Sequence, residues 1–319
     1  ATPRIYSEKA RNKAEGEEAT LASMDDENIY GKVLFHRNFG WAVENNLLTD
    51  YKVIVLAVDE GIVSQSVQRS FEEGAELKLD DATKMVGCYK ALAKVGFKNS
   101  KGEEVKLPPM RRALAFCQNI ALSKMFSEEF MGVVDDFLSN EEVEDKYKTD
   151  LKVELHHVDG TFNAEQRNEK LGWLKDDTEE NICRVLTNAR CLSEGVDVPA
   201  LDAIMFLHPR KSQIDIVQSV GRVMRRAEGK DLGYVILPIT VAPGVSPERA
   251  LNDNKKYEVV WQILNALRAH DERFDGMINR LGLGEDVSDH LEIVGVGESD
   301  EADATTAVID DIKPKPKKG

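Results

Sequence analysis

The sequence predicts an α/β fold: a parallel β-sheet with helices on both faces, followed by a helical C-terminal extension. Three observations predict it. Short apolar runs recur between residues 52 and 239. Segments of helical period, opened by helix-start residues, separate them. Strand–helix alternation of this kind brings the chain back across the sheet through helices, which then cover both faces.

Residues 1–50 do not fit the alternating unit and read as the end of a preceding domain plus a connector. The strand candidates are "KVIVLAV" (52–58), "RALAFC" (112–117), "KVELHHV" (152–158), "ICRVLT" (182–187), "DAIMFL" (202–207) and "GYVILPI" (233–239). Between the third and fourth, Asn163 followed by Gln166 forms a capping box that opens a helix over 164–175. Ser212 and Asp215 repeat that relation and open a helix from Gln213 to about Ala227. On that helix Gln218, Arg222 and Arg225 share one stripe, while Val217, Val220 and Met224 face the core. Gly221 beside the polar stripe leaves room for a close neighbour. Segment 246–281 reads as helical: Ser246 caps, Pro247 suits the first helical position, and Val260, Leu264 and Leu267 recur. Beyond residue 297 the composition turns acidic, then basic ("KPKPKKG"), without a core-forming pattern, as in a disordered tail or linker. The expected organisation is therefore connector 1–50, lobe 51–245, helical extension 246–297 and tail 298–319.

Composition narrows the function classes. Apolar residues are 42% of the chain, enough for a real core, and the net charge of -15 provides no global basic field to draw it onto nucleic acid. A local basic groove stays open. Cys88, Cys117, Cys183 and Cys191 show no CxxC pairing and read as reduced thiols of a cytoplasmic protein. No apolar run approaches a membrane span, and no signal peptide is visible, so no membrane partner is expected. The chain opens on Ala1, as a piece excised from something longer would. The adjacent His156 and His157 have no second cluster near them in sequence, so no metal site is expected, and one ring should be buried and the other exposed.

In parallel sheets ligands bind beyond the carboxyl ends of the strands, so chemistry should sit in the loops that follow the six runs. The helix bearing Arg222 and Arg225 follows one such loop. Arginine keeps its charge and offers a forked donor set that matches phosphate oxygens. "TNARCLSEGVDVP" (187–199) follows another strand. It puts Thr187 at the strand end, placed for a phosphate, and a Gly195/Asp197 turn where backbone and carboxylate can meet a ribose.

Together these pieces resemble superfamily 2 helicases and translocases. "ATPR" (1–4) looks like the end of their motif III, "AFCQN" (115–119) like motif IV, "TNARCLSEGVDVP" like motif V and "QSVGRVMRR" (218–226) like motif VI. The resemblance spans roughly residues 1–240 and implies a RecA-like fold. It further implies that two such lobes sandwich ATP, the first holding the phosphates and Mg2+. The second, this one, would supply Arg222 and Arg225 as arginine fingers. Gln218, Gly195 and Asp197 would lie at the nucleotide, and Thr187, Gln118 and Asn119 at the nucleic-acid backbone.

The P-loop GxxxxGK[ST] of such ATPases is missing; "YGKV" (30–33) and "EGKD" (228–231) lack the rest of it. "VIVLAVDEG" (53–61) imitates a magnesium motif, but it follows "ATPR" and reads as the first strand of the second lobe. "DEAD" at 300–303 lies in the acidic tail and reads as an accident of composition. The stretches 30–53, "VDGTFNAEQR" (158–167) and "VWQILNALRAHDERF" (260–274) are similar to segments of restriction-enzyme motors, the single-chain type ISP enzymes among them. The expectation is the second RecA-like lobe of a double-stranded-DNA translocase or helicase, whose ATP and Mg2+ are held mainly by an N-terminal lobe of the same chain. An RNA helicase lobe stays open, because such motifs read phosphate and sugar. A degenerate lobe serving only as a scaffold is the third reading, and the intact Gln218, Gly221, Arg222 and Arg225 set argues against it.

Overall fold

Seven strands form one sheet in the order β3-β4-β2-β5-β6-β1-β7, and every neighbouring pair is parallel. The structure is a computed structural model that describes residues 22–24, 26–61, 63, 77–97, 106–140, 143, 148–189, 198, 200–208, 212–243, 257–274, 276 and 290–296. The strands are β1 Asp50–Asp59, β2 Arg112–Phe116, β3 Lys152–Val158, β4 Ile182–Asn188, β5 Ala203–Phe206, β6 Leu232–Val241 and β7 Leu291–Val296. The helices are α1 Glu27–Tyr30, α2 Phe39–Glu44, α3 Leu79–Leu92, α4 Ile120–Ser139, α5 Ala164–Lys175, α6 Gln213–Val223 and α7 Glu258–Arg268. This is the RecA-like α/β fold that the sequence predicts.

Strand β1 shows why its sequence is an unbroken apolar run. Val53, Val55 and Ala57 pack into one core with α5, α6 and α7. Ile54, Leu56 and Val58 pack into a second core with α3 and α4. A strand covered on both faces has no polar side to alternate with. The Asn163–Gln166 capping box forms as expected and opens α5. At the other end of α5, the Arg112 guanidinium donates to the Leu174, Lys175 and Asp176 carbonyls, answering the helix's open acceptors from the sheet.

The extension differs from its expected form. Helix α7 lies within the predicted helical segment, and its Val260, Leu264 and Leu267 are buried. Beyond it, however, β7 joins the sheet beside β1, where the sequence reading has no strand. Lys52 of β1 and Glu292 of β7 form a buried ion pair at 2.6 Å. Such a pair adds little net stability, because desolvation opposes it, but it discriminates against other registers. A short edge strand carrying a buried carboxylate gives a weak sequence signal. The tail at 298–319, Ser246 and Pro247, "ATPR" and "DEAD" lie outside the described residues.

The connector is clamped to the lobe. Arg273, just after α7, donates to both carboxylate oxygens of Asp50 at 3.0 Å and to Asp271. The buried Tyr51 hydroxyl donates to Asp271 as well. The Arg273 stem passes over Gly40 of α2, where an added Cβ would lie 3.1 Å from it.

Gly233 of β6 lets α6 seat on the sheet. A Cβ there would stand 2.4 Å from the Val223 carbonyl oxygen, a backbone atom that cannot swing away. Gly172 of α5 faces open space. Gly233→Ala is therefore expected to destabilise by about 1–3 kcal/mol. Gly172→Ala is expected to stabilise by about 0.5–1 kcal/mol through helix propensity. Denaturant midpoints of the two variants check the opposite signs.

Candidate functional site at the carboxyl edge of the sheet

Because all strands run the same way, the loops after β2, β3, β4 and β5 gather at one edge. After β2 the chain surfaces at Gln118 and Asn119, both exposed. The Asn119 carboxamide oxygen accepts from the Leu122 N–H at 2.8 Å and caps the 20-residue helix α4. After β3, Asp159 is buried, and its Oδ1 accepts from the Thr161 N–H and hydroxyl at 2.7 and 2.6 Å. These bonds and one from His157 hold the Asp159 carboxyl down at about 2.

After β5 comes α6. The Ser212 side chain accepts from the Asp215 N–H and caps it as expected. The helix then stops at Val223, with Met224 as its C-cap, rather than continuing to Ala227. Val217, Val220 and Met224 are buried, as the pattern requires. Gln218 is half-buried and Arg222 is 9% exposed, whereas Arg225 lies half-buried in the turn beyond the helix. A single straight stripe through Gln218, Arg222 and Arg225 is thus not what forms. Lys230 explains the early stop: its ammonium donates to the Val223 carbonyl at 2.6 Å and the Arg225 carbonyl at 3.0 Å. A cation on the last carbonyls of a helix both satisfies them and opposes the helix dipole. Burial nevertheless pushes Lys230 down to about 8. The "EGKD" lysine is therefore a C-terminal anchor for the arginine-bearing helix. The connector holds the same turn. The Thr49 N–H donates to the Met224 carbonyl at 2.7 Å, and Arg226 donates to the Asn46 carbonyl at 2.6 Å. The close neighbour of Gly221 is the Phe39 ring, which an added Cβ would meet at 3.7 Å.

Thr187 departs from its expected role. It is completely buried, and its hydroxyl donates to the Ser123 carbonyl at 2.9 Å. The Ser123 hydroxyl lies 3.0 Å from Thr187 Oγ1 and 2.7 Å from His157 Nδ1. His157 Nε2 in turn lies 2.9 Å from Asp159 Oδ2. The side chain expected at a phosphate is instead the inner end of a chain of hydrogen bonds. One buried and one exposed ring were expected: His157, its side chain 9% exposed, joins this chain, whereas His156 is half-buried rather than exposed and stacks on Trp173 at 4.0 Å. Among the described residues no group of three His, Cys, Asp or Glu side chains could hold a metal ion, and no helix is long and apolar enough to cross a membrane. Gly195 and Asp197 lie outside the described residues. Sequence reasoning missed Ser123, His157, Asp159 and Lys230. The Asp-Gly-Thr turn after β3 was the available signal, since Asp binds its own backbone two residues on.

Comparison with known proteins agrees with this geometry. The family of the helicase conserved C-terminal domain matches residues 103–227. Among solved structures, the ATP-dependent type ISP restriction-modification enzyme LlaBIII bound to DNA is 41% identical, with a TM-score of 0.79, over 97% of this chain and 20% of that one. A nuclease-deletion mutant of the type ISP enzyme LlaGI, in complex with a DNA substrate mimic, is 33% identical, with a TM-score of 0.52, over 92% of this chain and 15% of that one. A probable helicase of African swine fever virus (isolate Pig/Kenya/KEN-50/1950) is 34% identical over 90 residues, which are 28% of this chain and 10% of that protein. The chain thus spans a fifth or less of the length of each of these three relatives.

The edge also carries a pH-sensitive group. His208, just after β5, is pushed down from 6.5 to about 4, first by burial and then by Lys84. Its Nε2 lies 3.9 Å from Asp81 Oδ1. A folded-state value below the unfolded one means that the fold holds the neutral ring. The stability this confers is complete above about pH 6.5 and is lost as pH falls toward 4, up to about 3 kcal/mol in all. Denaturant midpoints between those pH values should fall less steeply in His208→Gln than in the unsubstituted protein. Equal slopes would assign the loss to other groups.

Proposed function

We propose that this superfamily 2 helicase C-terminal lobe is the second motor lobe of an ATP-dependent double-stranded-DNA translocase. The observation that carries this reading is the anchoring of the arginine-bearing end of α6. Lys230, the Gly233 gap and the connector all converge on the turn between Arg222 and Arg226. A solvated helix end needs no such fixing, whereas a charge presented to a phosphate does.

In this reading ATP is bound between two lobes, and Mg2+ and most phosphate contacts belong to the other lobe. This lobe supplies donors: the forked guanidiniums of Arg222 and Arg225 stabilise charge on the transferring phosphoryl group, and Gln218 lies beside the nucleotide. Arg225 lies half-buried in the turn, one residue beyond the C-cap Met224, and Arg222 lies buried in the last turn of α6. Gly195 and Asp197 complete the nucleotide face. Gln118 and Asn119, in front of α4, meet the nucleic-acid backbone with the helix N-terminus behind them. Thr187 contributes from underneath. The connector supports a second lobe as well, because Val33, Leu34 and Phe35 are 70%, 97% and 72% exposed and offer apolar surface for a neighbour. The DNA-bound type ISP enzymes favour DNA over RNA as the track.

The chain alone should hydrolyse no ATP above background, because fingers act only on a phosphate that something else positions. Joined to a phosphate-holding lobe, it should show duplex-stimulated turnover. Arg222→Ala or Arg225→Ala should lower that turnover by a factor on the order of 10³–10⁵ while the fold survives, and lysine should rescue poorly. A steady-state ATPase assay with duplex DNA, duplex RNA or neither makes the comparison. Near-normal turnover in both alanine variants sinks the finger assignment, and stimulation by RNA alone overturns the choice of track.

A further inference from the structure

The chain Thr187–Ser123–His157–Asp159 lies directly under the loops assigned to nucleic acid. A serine, a histidine and an aspartate in hydrogen-bond sequence raise the question of a nucleophilic triad. Ser123 rules it out, because the residue has no accessible surface and its oxygen already meets Thr187.

Counting hydrogens shows what the chain does instead. Besides a longer contact of 3.4 Å from Thr187 Oγ1 to the His156 carbonyl, four contacts run along the chain: His157 Nε2 to Asp159, His157 Nδ1 to Ser123 Oγ, Ser123 Oγ to Thr187 Oγ1, and Thr187 Oγ1 to the Ser123 carbonyl. The carboxylate and the carbonyl only accept, so the ring must donate from Nε2 and Thr187 must donate onward. With a neutral ring, three hydrogens serve four contacts: one on Nε2, one on Ser123 and one on Thr187. A proton on Nδ1 supplies the fourth, and Asp159 balances its charge. The ring then donates from both nitrogens, to Asp159 in the β3 loop and to Ser123 of α4, and Ser123 donates on to Thr187, which donates to the Ser123 carbonyl.

We propose that His157 is the positioning residue of this edge: its imidazolium completes the chain and sets the placement of the loops after β2 and β3 against the end of β4. The proposal rests on the reading of those loops as the nucleic-acid track. The groups facing the ring are Asp159 and the Phe162 edge from its own loop, Ser123 from α4 and Thr187 from β4. Of these four, Asp159 carries charge, and it stays ionised wherever imidazole titrates.

The test uses the chain itself, isotope-labelled for NMR, and a fluorescent duplex DNA read by anisotropy. His157→Gln offers one donor and one acceptor, as the neutral ring does. Thr187→Val keeps the shape and removes the demand for the fourth hydrogen. As pH rises, the amides of 118–119 and 160–163 should shift with the His157 ring signals. Duplex binding should weaken about three- to ten-fold, the worth of one hydrogen bond. Both responses should vanish in each variant, and the double variant should bind no worse than either single one. Loop amides that follow the ring in a chain whose duplex binding does not change with pH uphold the positioning role and sink the track reading. Loop amides that ignore the ring, a pH response that survives in His157→Gln, or variant effects that multiply would each overturn the proposal.

Discussion

A parallel sheet imposes one direction on every strand, and the rest of this lobe follows from that constraint. Each return to the starting edge needs a crossover, and the helices that make it bury the sheet on both faces. The result is two apolar cores rather than one, with β1 contributing alternate residues to each. Net stability comes from this burial, offset by the entropy of ordering the chain. The same constraint delivers the loops after β2, β3, β4 and β5 to a single edge, where backbone groups leave the ladder and need other partners.

Side chains supply several of those partners. Asn119 answers the start of α4, Asp159 the turn after β3, and Lys230 the end of α6. Each bond is worth about 1 kcal/mol net, yet leaving a buried partner unmet costs more. The edge is therefore stiff although it is made of loops. Stiffness is what a face that presents charge to phosphate requires, because misplacement by a fraction of an ångström weakens every contact it makes.

The connector belongs to this arrangement more than its composition suggests. Arg273 binds Asp50 and Asp271 and passes over Gly40, while Thr49 and Asn46 hold the turn after α6. The connector and the segment that carries Arg225 are thus joined directly by hydrogen bonds.

Local chemistry decided much of this in advance. The inner strands were legible because doubly covered strands must be apolar runs, the edge strand β3 because apolar Val153, Leu155 and Val158 recur along it, and α5 because Asn163 and Gln166 bind each other's backbone within one turn. The resemblance of 218–226 to motif VI pointed to the same edge that the sheet builds. What sequence could not show depends on groups far apart in the chain. The stop of α6 at Val223 is set by Lys230 and its seat on the sheet by Gly233, the register of β7 is selected by Lys52, and the Thr187 hydroxyl is engaged by Ser123. An i-to-i+3 pair announces itself in sequence, because its two members are neighbours before folding. A lysine that closes a helix, or a hydroxyl that serves a histidine on the next strand, acquires its partner only when the sheet has brought them together, and that the tertiary structure alone decided.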